Sequence, residues 1–275
     1  MKVETMQLLN GIPQVGYGTW ARTGDEGVKT ISAALEIGYR HLDTAQTYGT
    51  EESVGRAVSR SGLARPDVFI TTKVAEDNLG RDTFLPSVRE SLDKLRVDAV
   101  DLLLIHWPST GDAVPFDHYV EALGEAKSIG YTRLIGVSNF TKAMVDRAQE
   151  ILGKGELATN QVEVHPFLQN RDLRKHCEAA GIVVTAYMPL AKGKVGDDPT
   201  IVEIAARIGC EPAQVSLAFL LGEGLVVIPA SGNRERMRAN FLTTEISLSA
   251  DDIAAIRACE RGGRMIKPAA TFWDR

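Results

Sequence analysis

The chain contains seven short apolar runs, many of them β-branched, and each run stops at a polar or aromatic residue. The stops follow one another at intervals of 23 to 44 positions and are Asp43, Lys73, His106, Ser138, Gln161, Tyr187 and Ser231. Between the runs, apolar residues recur with the period of an α-helix. This alternation is typical of a (β/α)8 barrel, or TIM barrel, in which the carboxyl ends of the parallel strands converge on one mouth. We therefore predict that fold and expect the chemistry at the stops.

The same pattern predicts where the individual elements lie. The predicted strands span 15–18, 39–43, 68–73, 100–106, 134–138, 159–163, 182–187 and 226–228. The predicted helices span 24–37, 51–60, 83–95, 116–129, 141–152, 169–180, 201–208 and 212–221. Asn10-Gly11 between apolar residues indicates an N-terminal β-hairpin, which we expect to cap the barrel floor. Residues 1–275 are predicted to form one domain, with a tail, 261–275, that crosses the mouth.

Composition excludes several classes of function. A net charge of −5 with dispersed basic residues argues against a nucleic-acid or membrane partner. Cys177, Cys210 and Cys259 lack metal-ligand spacing, and no apolar run is long enough for a signal segment or a membrane span. We interpret each cysteine as a small buried apolar residue. These features predict a cytoplasmic monomer without a metal ion.

Four of the residues at the predicted mouth can act together on a proton. Asp43 ends one strand, Tyr48 lies in the next loop, and Lys73 and His106 end the two following strands. A phenol with a pKa near ~10 is a weak acid at neutral pH unless a nearby cation stabilises its phenolate. Lys73 can supply that cation and Asp43 can hold it. Each residue alone is equally explained by a structural ion pair, a rim position or a core histidine, but their succession favours a proton donor.

Three segments of the chain resemble the hallmark segments of the aldo-keto reductases. They are residues 38–45, 100–108 and 135–140, and the resemblance extends from about residue 11 to residue 240. Within the family the chain is similar to the shorter bacterial 2,5-diketo-gluconate reductases. The resemblance implies direct hydride transfer from NADPH, with NADH as a weaker alternative, to the carbonyl group of small aldehydes or keto-sugars.

The resemblance also implies roles for individual residues. Tyr48 would be the general acid, His106 would orient the carbonyl, and Lys73 and Asp43 would complete the catalytic tetrad. Trp20 and Trp107 would form the substrate wall with His106, joined by Trp273 of the tail. The implied cofactor contacts are Thr19, Ser138, Asn139, Gln161, Tyr187, Leu190, Ser231, Asn233, Arg236 and Asn240. The residues alone leave a helix cap open for Ser138-Asn139 and barrel filling open for Gln161 and Tyr187.

The cofactor segment departs from the common family pattern at three positions. Ala230, Met188 and Ala239 stand where many members have Lys, Ser and Glu. The implied 2′-phosphate contacts are then Ser231, Asn233 and Arg236, and strict NADPH use is less expected. No Gly-x-Gly-x-x-Gly motif follows the first strand, so a Rossmann domain is not the expected cofactor holder.

Two other classes of function are compatible with the same residues. One is a non-redox barrel enzyme in which Lys73 forms a Schiff base with its substrate. The other is a cofactor-binding regulatory subunit that resembles the aldo-keto-like subunits of potassium channels. Oxidation of NADPH in the presence of small carbonyl compounds distinguishes both from a reductase.

Overall fold

The N-terminal hairpin closes one end of the molecule. The computed structural model describes residues 7–266, in which β1 (Leu8–Leu9) pairs antiparallel with β2 (Ile12–Pro13). Asn10 and Gly11 at the turn have positive φ angles of 48° and 76°, as the two central residues of a type I′ turn require. The Asn10 amide donates to the carbonyls of Ala158 and Gly181, at the amino ends of two barrel strands. The hairpin therefore caps the barrel floor, as predicted.

Eight parallel strands form the barrel wall in the order of the chain. They are β3 (Tyr17–Gly18), β4 (His41–Asp43), β5 (Phe69–Val74), β6 (Val100–Ile105), β7 (Thr132–Ser138), β8 (Leu157–Glu163), β9 (Val183–Tyr187) and β10 (Val226–Val227). The sheet closes on itself through a parallel bridge between Val15 and Val227, next to which Gly18 N–H donates to the Pro229 carbonyl at 3.0 Å. This closure confirms the predicted (β/α)8 barrel.

Helices cover the outside of this wall. Within residues 7–266 they are α1 (Gly24–Ile37), α2 (Glu51–Arg60), α3 (Phe84–Leu95), α4 (Phe116–Ser128), α5 (Lys142–Leu152), α6 (Arg171–Ala179), α7 (Pro199–Ile208), α8 (Pro212–Gly222), α9 (Arg234–Phe241) and α10 (Ala250–Ala258). Every predicted strand and helix is present, with bounds within two residues of the prediction. Helices α9 and α10 are not among the eight predicted helices, although Ser249 and Asp252 form a capping box at the start of α10.

The core has two parts. The larger lies between the strands and the helices, where it contains most of the buried aliphatic side chains. The smaller fills the barrel floor beneath the mouth and consists of Ile12, Phe69, Leu102, Leu104, Ala158 and Val226. Because apolar side chains fill the floor, a small molecule can reach the polar residues at the strand ends only from the mouth.

The three cysteines differ in burial. Cys177 is fully buried, and burial raises the pKa of its thiol to about 11, as suits a packing residue. Cys210 and Cys259 are only partly buried, so the prediction that each cysteine is a small buried apolar residue fits these two less well.

No single helix within residues 7–266 is long and apolar enough to cross a membrane. Helices α7 and α8 reach the length and apolar composition of a membrane span only when they are taken together, and the chain bends by 94° between them.

A glycine permits the close approach of β7 and β8. A Cβ atom at Gly136 would lie 2.6 Å from the Thr159 carbonyl oxygen and 2.8 Å from Leu104 Cδ2. The strand register also shifts between Ile135 and Val137. The backbone oxygen cannot move without distorting the sheet that carries Ser138.

We expect Gly136→Ala to lower the free energy of unfolding by about 1 to 3 kcal/mol, as overpacking of a dense core does. Urea unfolding monitored by circular dichroism measures this loss. Gly222→Ala is the matched control, because it lies at the end of a helix with open space around it and should be neutral or slightly stabilising. Equal stabilities of the two variants would contradict the close-packing account.

Candidate active site

A buried ion pair lies at the base of the mouth. Lys73 Nζ donates to Asp43 Oδ1 at 2.5 Å and to the Thr44 carbonyl at 2.7 Å, and both charged side chains are almost fully buried. The other carboxylate oxygen of Asp43 accepts from Gln161 Nε2 at 2.8 Å. Burial acts to lower the pKa of Lys73, but Asp43 and Tyr48 more than offset it, and the pKa lies above its usual value. Lys73 is therefore a fixed cation.

The Tyr48 ring lies directly above this cation. Lys73 Nζ is 4.9 Å from its centroid, and the rings of Trp20 and His106 pack edge-on against it at 5.1 and 5.4 Å. Burial raises the pKa of Tyr48, and the opposing effect of Lys73 is smaller. The cation expected from the sequence is present, but burial outweighs it. The phenol therefore keeps its proton at neutral pH.

His106 follows β6 directly and faces the same space. Burial and the nearby Lys73 cation lower its pKa to about 3, so the imidazole is neutral at physiological pH. Its Nδ1 lies 3.2 Å from Thr47 Oγ1. Thr47 was missed in the sequence analysis, where its position beside Tyr48 in the loop is the one available signal.

Four of the implied cofactor contacts, Ser138, Asn139, Gln161 and Tyr187, form one hydrogen-bond network at the ends of β7, β8 and β9. Asn139 Nδ2 donates to the His106 carbonyl at 2.9 Å and to Ser138 Oγ at 3.0 Å. Asn139 Oδ1 accepts from the Tyr187 hydroxyl at 2.9 Å, and Ser138 Oγ donates to the Gln161 carbonyl at 2.8 Å. The network ties the imidazole-bearing segment to the strands on its far side.

The helix-cap interpretation of Ser138-Asn139 is wrong. The N-cap of α5 is Thr141, whose side chain accepts from Met144 N–H. Asn139 has a left-handed φ of 63°, which turns the chain away from β7 before the helix begins. Its side chain is thereby directed to the network and not to the helix.

A cleft of about 1480 Å³ runs across the mouth. Thirteen of the predicted site residues line it: Trp20, Asp43, Tyr48, His106, Trp107, Asn139, Gln161, Tyr187, Leu190, Ser231, Asn233, Arg236 and Asn240. Three others lie behind the lining: Lys73, Ser138 and Thr19, whose hydroxyl contacts the Asp43 carbonyl and Thr50. The cleft is larger than the roughly 300 to 1,000 Å³ of most small-molecule pockets.

The start of α9 forms the far end of the cleft. Asn233 Oδ1 accepts from Arg236 N–H at 2.9 Å and caps the helix, and Ser231 Oγ accepts from Asn233 N–H at 3.1 Å. A cation absent from the sequence prediction also lies here, because a Cβ atom on Gly232 would be 3.4 Å from Arg22 Nη2. Arg22 belongs to the loop after β3, where no sequence pattern signals its proximity.

The first part of the C-terminal tail reaches the mouth. The N–H groups of Met265 and Ile266 donate to the buried Glu163 carboxylate at 2.7 and 2.9 Å. Ile266 also lines the cleft. Residues 267–275, which include the predicted wall residue Trp273, lie outside the described residues.

Comparison with known proteins agrees with this geometry. Residues 8–261 match the model of the aldo/keto reductase family. Methylglyoxal reductase DkgB from Salmonella typhimurium is 46% identical over 265 residues, which cover 96% of this chain and 99% of the relative.

Solved structures agree as well. A crystal structure described provisionally as a 2,5-diketo-D-gluconic acid reductase B has a TM-score of 0.93 and 40% identity, and the match covers 97% and 95% of the two chains. The aldose reductase from Schistosoma japonicum has a TM-score of 0.85 and 32% identity, with 90% and 89% covered. On sequence and fold together, this chain belongs to the aldo/keto reductase family.

Proposed function

We propose that this chain uses NADPH, with NADH as a weaker alternative, to reduce small aldehydes or keto-sugars to alcohols. Family membership makes it an oxidoreductase that acts on carbonyl groups. The observation that carries the finer proposal is the protonated Tyr48 phenol beside the buried Lys73 cation and the neutral His106. The charge and cysteine patterns of the whole chain support a cytoplasmic monomer without a metal ion.

The chemistry of the cleft fits a nicotinamide dinucleotide. A carboxamide needs both donors and acceptors, which the side chains of Ser138, Asn139 and Gln161 supply, and Tyr187 offers an aromatic face for the ring. At the far end, the N-terminus of α9 and Arg236 suit a phosphate. When bound, this cofactor supplies the hydride.

The protein supplies the proton and the orientation. Tyr48 Oη transfers its proton to the carbonyl oxygen as hydride adds to the carbonyl carbon, so that the C=O π pair ends in the new O–H bond. Lys73 stabilises the phenolate that remains, and Asp43 holds Lys73 in place. When the Thr47 hydroxyl donates to Nδ1, the His106 proton lies on Nε2, which then donates to the same carbonyl oxygen.

The geometry argues against the two other classes. Lys73 is fully buried, and its ammonium donates to both Asp43 and Thr44. A Schiff base would require a neutral amine that a substrate can reach. A regulatory subunit would not need the complete arrangement of acid, cation and imidazole.

We expect Tyr48→Phe to retain fold and cofactor binding but to lose about 10²- to 10⁴-fold in turnover, the usual worth of general acid catalysis. NADPH consumption with methylglyoxal measures the rate, and quenching of protein fluorescence measures cofactor binding. A variant that reduces the aldehyde at nearly the parental rate would show that Tyr48 is not the acid.

We expect Lys73→Met to be nearly inactive and the basic limb of its residual pH profile to move upward. The phenol must be protonated to act, and removing the cation that lowers the Tyr48 pKa raises that pKa further. The measurement is kcat/KM as a function of pH.

A stranded buried carboxylate costs about 3 to 5 kcal/mol, so the single variant can lose activity by unfolding. The double variant Lys73→Met with Asp43→Asn removes that charge and serves as the control for folding. A parental pH profile at full activity would leave Lys73 with a structural role alone.

We expect Arg236→Ala to weaken NADPH binding by about 10-fold or more and to leave NADH nearly unchanged, because a charge-assisted contact to the 2′-phosphate is lost. Ala230→Lys should act in the opposite direction. Fluorescence titration with both cofactors at two ionic strengths measures the effects, which should fade with salt.

Arg234→Ala is the matched control on the same helix, because Arg234 pairs with Glu36 and lies outside the cleft lining. Parallel losses of NADH and NADPH in Arg236→Ala would mean that this arginine supports the loop and does not contact the 2′-phosphate.

A further inference from the structure

A second cavity of about 350 Å³ adjoins the mouth. It is lined by Phe167, Lys192, Lys194, Arg261, Gly263, Arg264 and Met265. Four of these seven residues have cationic side chains, in a chain whose net charge is −5. Lys192 lines both this cavity and the large cleft, so the two spaces meet there.

The carboxylates near this cavity are already engaged. Asp198 pairs with Arg261 at 3.2 Å and caps α7. Glu163 accepts from His165 and from two N–H groups of the tail. Within residues 7–266, Lys192 and Lys194 have no carboxylate within ion-pair distance. The cavity therefore carries a surplus of positive charge.

The cationic groups are held by the backbone and by neighbouring side chains. Lys192 adopts a left-handed φ of 54° in the turn after β9, a conformation that costs a non-glycine residue free energy and concentrates at functional sites. The Arg261 guanidinium lies 3.7 Å from the Phe167 ring centroid and is fixed from the other side by Asp198. Two loops far apart in sequence thus present cations to one space.

We propose that this cavity binds a small anionic group of the sulfate, phosphate or carboxylate class. The group is either a free anion or the charged end of a carbonyl compound that also occupies the cleft. Charge-assisted hydrogen bonds from ammonium and guanidinium groups are the contacts that recognise such oxygens. The second source rests on the proposed carbonyl reduction, whereas the first does not.

The first test is a calorimetric titration of the NADP⁺-loaded protein with sodium sulfate at fixed ionic strength, so that the cofactor phosphate site is already filled. We expect Lys194→Gln to weaken sulfate binding by about 5- to 10-fold, in the range of one contact to a charged group open to solvent. Lys194→Arg should keep the affinity. Lys154→Gln, in the exposed turn before β8, is the control and should match the parent.

The second test compares two four-carbon aldehydes, butyraldehyde and succinic semialdehyde, which differ by a terminal carboxylate. If the anion is the end of a substrate, Lys194→Gln lowers kcat/KM for succinic semialdehyde and leaves butyraldehyde unchanged. If the anion is free, sulfate binding is weakened in the variant and the ratio of kcat/KM for the two aldehydes stays parental. Either outcome supports the site.

The proposal is overturned if Lys194→Gln changes neither sulfate binding nor the ratio of the two aldehydes. It is also overturned if the variant weakens NADP⁺ as much as sulfate, because the cavity would then be part of the cofactor site. Parental butyraldehyde turnover in that case leaves the proposed reductase function intact. Absence of any aldehyde reduction would refute that function, while the sulfate titration would still decide the site.

Discussion

The contact between Lys73 and Asp43 joins the fold of this protein to its chemistry. Two buried charges at 2.5 Å are costly to remove from water, and they are stable together only because each has further partners. Lys73 gains the Thr44 carbonyl, and Asp43 gains the Gln161 amide from the opposite side of the barrel. The pair therefore links β4, β5 and β8, and the tyrosine ring rests on a cation that cannot move away.

From this pair, hydrogen bonds extend around the mouth. The Gln161 carbonyl accepts from Ser138, whose hydroxyl accepts from the Asn139 amide. Asn139 also donates to the His106 carbonyl and accepts from the Tyr187 hydroxyl. These residues come from four neighbouring strands: His106 follows β6, Ser138 and Asn139 are at the end of β7, Gln161 is near the end of β8, and Tyr187 ends β9. A displacement of one strand would therefore misplace groups on its neighbours, and the close approach at Gly136 keeps two of those strands in contact.

The barrel could be predicted because periodicity along the chain encodes it directly. Asp43, Lys73 and His106 could be placed together for the same reason, since the carboxyl ends of consecutive strands must converge. Groups in loops could not, because loops carry no period: Thr47 and Arg22 became visible only in three dimensions.

Two further features needed three-dimensional information. The direction in which the Tyr48 pKa shifts is decided by burial, and the extent of burial cannot be read from the neighbouring residues in the sequence. The cationic cavity is assembled from positions about 70 residues apart, so it forms no basic run in the sequence. Helix α10 is different, since its Ser249 and Asp252 capping box was readable and was overlooked.

The side chain of Glu163 binds the main chain of the C-terminal tail. A carboxylate that accepts two backbone N–H groups places no demand on the side chains of Met265 and Ile266, except that neither can be proline. The wall of the mouth can therefore change its shape and polarity through substitutions at these two positions while its attachment to β8 stays the same. Variation in what the mouth admits is therefore separable from β8, whose Gln161 donates a hydrogen bond to Asp43.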